Sequence, residues 1–169
     1  MKDSWKNRIG REVFKLPGVR ELWAARHAVE APDTIPWAPL SKPLPECRMA
    51  LVTTGGVHLQ GDPPFEVDDP HGDPSFRRIP ADAPAEALTI THPYYDHTDA
   101  EQDRNLVLPM DILQELRASG EVGGATAEFF SFMGHIEGPH LKTLIQETAL
   151  DAAREIRRQQ ADVALLVPA

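Results

Sequence analysis

The densest chemistry in this sequence is His92-Pro-Tyr-Tyr-Asp-His-Thr-Asp99, with histidines, tyrosines and aspartates packed into one short stretch. Histidine and tyrosine beside aspartate can be oriented and tuned to pass protons or to hold a polar substrate. The plainer reading is a polar turn that caps a strand. A metal site would draw on His92, Asp96 and His97, but it needs three or four converging ligands and no zinc spacing is present; no metal is expected. A second candidate is Thr54-Gly55-Gly56, a turn closing the apolar run Met49 to Thr53. Glycines there would let backbone amides approach an anion or a carboxylate. The Lys-Ser/Thr partner of a P-loop is missing, so the turn reads equally as a simple strand ending. His135, in Phe132-Met-Gly-His135, is a third candidate, with an ordinary loop histidine as its alternative. Arg77 or Arg78 could face a carboxylate, or both could be solvated.

Positioning these groups requires strands. Met49 to Thr53 and Leu88 to Thr91 read as strands, and Val122 to Met133 holds another, weighted by Phe129, Phe130 and Phe132. Val163 to Val167 is a short apolar run that suits a fully buried central strand. Asp111 resembles an N-cap for a helix carrying Ile112, Leu113 and Leu116 and ended by Gly120. Leu141, Leu144, Ile145, Thr148, Ala152 and Ile156 recur at helical steps, and Arg154, Arg157 and Arg158 near the end of that helix suit its dipole. A helix between apolar strands is the crossover of a parallel sheet. The fold class expected is therefore α/β, a mainly parallel sheet with flanking helices.

Ahead of the first strand, residues 31–45 carry Pro32, Pro36, Pro39, Pro43 and Pro45. Fixed φ angles and missing donors make this a proline-rich N-terminal arm rather than helix or central strand, with Trp37 as its expected anchor. Val19, Leu22 and Trp23 follow Pro17-Gly18 at helical spacing, which predicts a short amphipathic helix. Residues 60–84, rich in Pro, Asp and Gly, read as a long ordered loop or lid pinned by Phe65 and Phe76.

The 169 residues suit a single domain, and the net charge of -9 argues against nucleic acid or an anionic membrane as main partner. The one cysteine, Cys47, excludes an internal disulfide framework and a multi-cysteine zinc site. No apolar run has the length of a membrane span and the N-terminus shows no signal-peptide core, so the cytoplasm is the expected location.

Several fragments in order share one likeness. They are Trp37-Ala-Pro-Leu-Ser-Lys-Pro-Leu44, Ala50-Leu-Val-Thr-Thr-Gly-Gly-Val-His58, Gly72-Asp-Pro-Ser-Phe-Arg77, Ile79-Pro80, Thr91-His-Pro-Tyr-Tyr-Asp96, Pro109-Met-Asp111, Gly120-Glu-Val-Gly123 and Ser131-Phe-Met-Gly134. Together they resemble the B-type selenoprotein subunits of glycine, sarcosine, betaine and D-proline reductases, from about Trp37 to Ala169. In that family the strand matching Val163 to Val167 is followed almost at once by selenocysteine or cysteine. The resemblance therefore implies a chain shortened at a UGA codon after Ala169, or a partial homologue without the redox half. It implies reductive cleavage of a C–N bond in an amino acid or related amine, with a pyruvoyl group on a separate partner subunit as cofactor and a thiol reductant. By the same analogy Thr54, Gly55, Gly56 and His58 line the pocket beside the absent residue. His92, Tyr94, Tyr95 and Asp96 then bind substrate or transfer protons. The exposed sheet edge left by such a chain suggests pairing with another copy, a possible homo-oligomer. The alternative is a non-catalytic α/β protein that binds a small ligand or a partner.

Overall fold

In a computed structural model, residues 38–169 are described, together with Val13, residues 16–19, Glu21, Leu22 and Ala25. Two units are distinguished: Met1–Pro39 with Pro93–Asp96, and Leu40–His92 with His97–Ala169. In the first, Val19, Glu21, Leu22 and Ala25 are helical, as the spacing predicts. Trp37 and the first half of the proline-rich arm lie outside the described residues.

The second unit is built on a five-stranded sheet. Its strands are β1 (Arg48–Thr53), β3 (Phe76–Pro80), β5 (Gly124–Ala125), β6 (Glu128–Phe132) and β7 (Val163–Val167). β1 is central: it pairs in parallel with β5 and then β6 on one side and with β7 on the other. β3 closes the far edge antiparallel to β6, so the sheet is mixed but mostly parallel. β2 (Val57–Leu59) and β4 (Leu88–Ile90) form a separate antiparallel ribbon that lies against β3 and β6.

Alternation decides the two faces. Val52 and Phe130 are register partners, as are Phe76 and Phe132, and this face packs on Ala152, Leu144 and Ile156 of the crossover helix. That helix runs as α3 (Gly138–Thr143), a π turn (Leu144–Thr148) and α4 (Ala149–Arg158). Leu51, Ile79 and Phe129 point to the opposite face and are also fully buried, the pattern of a sheet covered on both sides. Two more helices, α1 (Thr98–Gln102) and α2 (Met110–Ala118), precede β5. Met110 begins α2 and Asp111 sits in its first turn, its amide bonded to Asn105 Oδ1, so the expected N-cap is shifted by two residues to Pro109.

Three expectations are overturned. Val163 to Val167 is not a buried central strand. Among the described residues β7 pairs only with β1, and Ala164, Leu165 and Leu166 are exposed. The Leu88–Thr91 strand does not join the main sheet, because β2 turns back after Gly56 and takes it into the ribbon. Arg77 and Arg78 are not loop residues awaiting a substrate but members of β3. Arg77 donates to the carbonyls of Pro63 and Pro64 and lies 4.2 Å from the Phe65 ring centroid. Arg78, on the helical face, pairs with Glu128 and with Glu155 of α4.

Candidate functional site

Open parallel sheets place their working groups beyond the carboxyl ends of the strands, and three such ends converge here. β1 runs into Thr54-Gly55-Gly56. The Thr54 amide donates to the Val167 carbonyl at 3.1 Å, and the Gly56 amide donates to the Phe132 carbonyl at 2.9 Å. The turn therefore joins the tips of β7 and β6 to that of β1. Beyond β7, the Ala169 amide donates to Thr54 Oγ1 at 3.0 Å. The Gly55 amide donates to Thr53 Oγ1 at 2.9 Å. All three turn amides are thus engaged within the protein, so the turn is not the open anion cradle that its glycines suggest. It is a clamp that fixes where β6 and β7 end.

The glycines are needed for close approach. Gly56 has φ +67 and a Cβ there would collide with the Thr91 carbonyl oxygen, to which the turn is bound through the Thr91 amide and Gly56 carbonyl. Gly134, just past β6, has φ +92, and a Cβ would come within 2.5 Å of the Thr54 carbonyl oxygen. Sequence reasoning did not single out Gly134; its place after a phenylalanine-rich strand was the available signal.

Two histidines flank this clamp. His92 is half-buried directly after Thr91, and its pKa is pushed down to about 4, first by desolvation and then by His135 and His97 nearby. It is neutral at physiological pH and presents imidazole rather than imidazolium. His135 follows Gly134 and its Nε2 lies 3.1 Å from the Pro70 carbonyl. His97 pairs with Glu101 at 2.8 Å. His58 stands apart. It is buried in β2, with Nδ1 2.8 Å from the Leu59 carbonyl, Nε2 2.8 Å from Thr91 Oγ1 and its ring edge-on to Phe65. Its ring joins the ribbon to the loop. Tyr94, Tyr95 and Asp96 belong to the first unit, where Tyr94 and Asp96 are exposed and Tyr95 is half-buried.

A further cluster escaped the sequence reading. Asp69 accepts from the His71 amide and lies 3.1 Å from His140 Nε2, and these bonds hold its carboxyl below the usual range. His71 meets the His140 ring edge-on, and the Glu137 amide donates to the His71 carbonyl. The loop before β3 is thereby tied to the start of α3, more than sixty residues later, a pairing that local spacing cannot announce. Among the described residues, no group of three or more His, Cys, Asp or Glu is arranged to hold a metal ion.

The comparisons decide the family. Residues 15–167 match the family model described as glycine/sarcosine/betaine reductase selenoprotein B. The chain belongs to that family. It is 34% identical over 130 residues to D-proline reductase subunit gamma of Acetoanaerobium sticklandii, covering 77% of this chain and 52% of that one. It is 28% identical over 133 residues to glycine reductase complex component B subunit gamma of Carboxydothermus hydrogenoformans, covering 77% and 30%. With sarcosine reductase complex component B subunit beta of Peptoclostridium acidaminophilum it shares 27% over 131 residues, 72% and 28% of the two chains. The chain thus spans about half, or less, of the length of the curated relatives it matches. No solved structure matches it.

Proposed function

We propose that this selenoprotein B family chain supplies the scaffold and part of the active site of a selenocysteine- or cysteine-dependent reductase that cleaves a C–N bond of an amino acid or related amine. The supporting observation is the clamp at the strand tips: Thr54 bonds the last residue of β7 through its amide and Ala169 through its hydroxyl. A reactive selenium or sulfur atom placed just beyond β7 would sit beside Thr54, Gly55 and Gly56. This location is proposed from the family likeness, as is a gene that continues through a UGA codon after Ala169.

In the proposed reaction the substrate carbon loses its nitrogen, the amine leaves with a proton, and the carbon gains hydrogen. The two electrons come from an external dithiol that becomes a disulfide. A pyruvoyl group on a partner subunit would supply an electron sink. This chain's contribution is geometric and polar. Thr54 fixes the backbone from which the nucleophile would project. His92, with its pKa of about 4, is too weak a base to deprotonate a thiol, and as a neutral imidazole it can hold a polar group of the substrate by hydrogen bonding. Gly134 admits the Thr54 carbonyl close to the tip of β6. No helix among the described residues is long and apolar enough to cross a membrane, and a cytoplasmic setting belongs to the same proposal.

The test is to read the codon after Ala169 and to express the gene with cysteine at that position through the downstream frame. Dithiol-dependent C–N cleavage, read as amine released from glycine, sarcosine or betaine or as the ring-opened linear amino acid formed from D-proline, in the presence of the partner subunit, is the expected result. A sense codon other than cysteine, or a stop codon with no frame beyond it, overturns the redox assignment and leaves a ligand- or partner-binding scaffold.

A further inference from the structure

The ribbon of β2 and β4 has only three register pairs, Val57 with Ile90, His58 with Thr89 and Leu59 with Leu88. Two strands this short do not hold together in water by themselves, so side chains must fasten them. His58 is one such fastening. It is 3% exposed, and both its ring nitrogens are engaged within the protein.

The two bonds fix the tautomer. Nδ1 lies 2.8 Å from the Leu59 carbonyl, which can only accept, so in the neutral ring Nδ1 carries the proton. Nε2 is then a bare acceptor, and the Thr91 hydroxyl donates to it at 2.8 Å. A hydroxyl committed in this way locks a β-branched side chain whose χ1 is already stiff. Thr91 is held from the turn after β1 as well. Its amide donates to the Gly56 carbonyl at 2.9 Å. Its carbonyl oxygen would collide with a Cβ on Gly56, and the His92 Cβ would lie 3.4 Å from that same point. The peptide joining Thr91 to His92 is therefore pressed against the turn, and the His58 bond secures it from the ribbon.

We propose that His58 is a positioning residue of the strand-tip site: its ring, held as the Nδ1–H tautomer, takes the Thr91 hydroxyl on Nε2 and so sets the backbone from which His92 projects. The charge state of His92 follows from that placement. Burial first, then His135 and His97, bring its pKa down to about 4. Releasing Thr91 from His58 lets the His92 ring reach water and raises that value. That the placement serves a substrate rests on the reductase reading; the bond and its effect on His92 do not.

The experiment uses NMR of the imidazoles in the 169-residue chain. At about pH 8, two-bond nitrogen–proton spectra should show His58 protonated on Nδ1 and bare on Nε2. Two substitutions then divide the ring's contacts. His58→Gln puts an amide oxygen where Nε2 was and keeps an acceptor for Thr91, whereas His58→Asn reaches only the Nδ1 position and loses it. Both lose the edge-on contact with Phe65, so both should lower the thermal midpoint by similar amounts. The His92 titration should separate them. Its midpoint should stay near 4 in His58→Gln and rise by about one pH unit or more in His58→Asn. Thr91→Val, equal in size, reads the same bond in a fully packed ribbon and should raise it as much. Combining Thr91→Val with His58→Asn should raise it no further. The opposite tautomer overturns the proposal. So does a His92 midpoint that moves alike in the Gln and Asn variants, or in neither. None of these readouts involves turnover, so their failure is distinct from a failure of C–N cleavage.

Discussion

His92 carries the most perturbed environment described in the protein. Burial and two neighbouring histidines disfavour its charged form, and its pKa falls from 6.5 to about 4. The unfolded chain therefore binds more protons than the folded one between those two values. Stability contributed by the neutral imidazole is full above about pH 6.5, falls as pH drops, and levels off below about pH 4. The loss across that window is up to about 3 kcal/mol. His92→Gln should flatten this part of the profile, and an NMR titration of the ring should show no midpoint near 6.5; a ring that titrates there would contradict the environment described. Thr54, Gly56 and Gly134 act by contrast through shape. Their work is to bring carbonyls and amides of three strand ends within bonding distance.

Among the elements, β3 explains how a loop rich in Pro, Asp and Gly can be ordered. Arg77 reaches from β3 to two proline carbonyls, to Ser75 Oγ and to the face of Phe65. Asp73 caps the Ser75 and Glu66 amides beside it. A planar guanidinium can satisfy several acceptors and stack at once, whereas an ammonium cannot. Arg77→Lys should destabilise the protein by about 1–3 kcal/mol. Its amide exchange should rise first between residues 61 and 75, with the β1 amides unaffected until global unfolding. Uniform acceleration across the sheet would show that the clamp is not local. β7 teaches the opposite lesson: among the described residues an apolar run is left exposed, because burial depends on what lies beside it and not on its own composition.

At the scale of the molecule, charge runs through the tertiary joints. Asp162 accepts the Arg48 amide at 2.7 Å and pairs with Lys42 at 2.8 Å, fastening the entry of β7 to the start of β1. Asp69 and Asp73 tie the long loop. All three carboxyls lie below their usual 3.8, chiefly through hydrogen bonds from backbone amides for Asp69 and Asp162; for Asp73 these bonds and that from Ser75 together outweigh burial. A carboxyl with a depressed folded pKa stabilises above its unfolded value and loses that contribution as pH falls through the folded one. Urea midpoints should therefore drop in two stages on acidification, a first between about pH 6.5 and 4 from His92 and a second below about 3.8 from the aspartates. A single step confined to one window would refute this assignment.

The sequence by itself determined the α/β class, the strand at β1, the Phe-rich strand at β6 and the long crossover helix, because period and turn residues are local properties. It also carried the family, through ordered fragments that span most of the chain. Only the tertiary structure decided that β4 leaves the main sheet, that His58 is a core joint and that Arg77 is a loop clamp. It alone showed the Asp69–His140 tie and that, among the described residues, β7 pairs with β1 alone. Each of these depends on which segments become neighbours. A backbone amide in Thr54-Gly55-Gly56 looks available in sequence, yet in space the tips of β1, β6 and β7 have already used it.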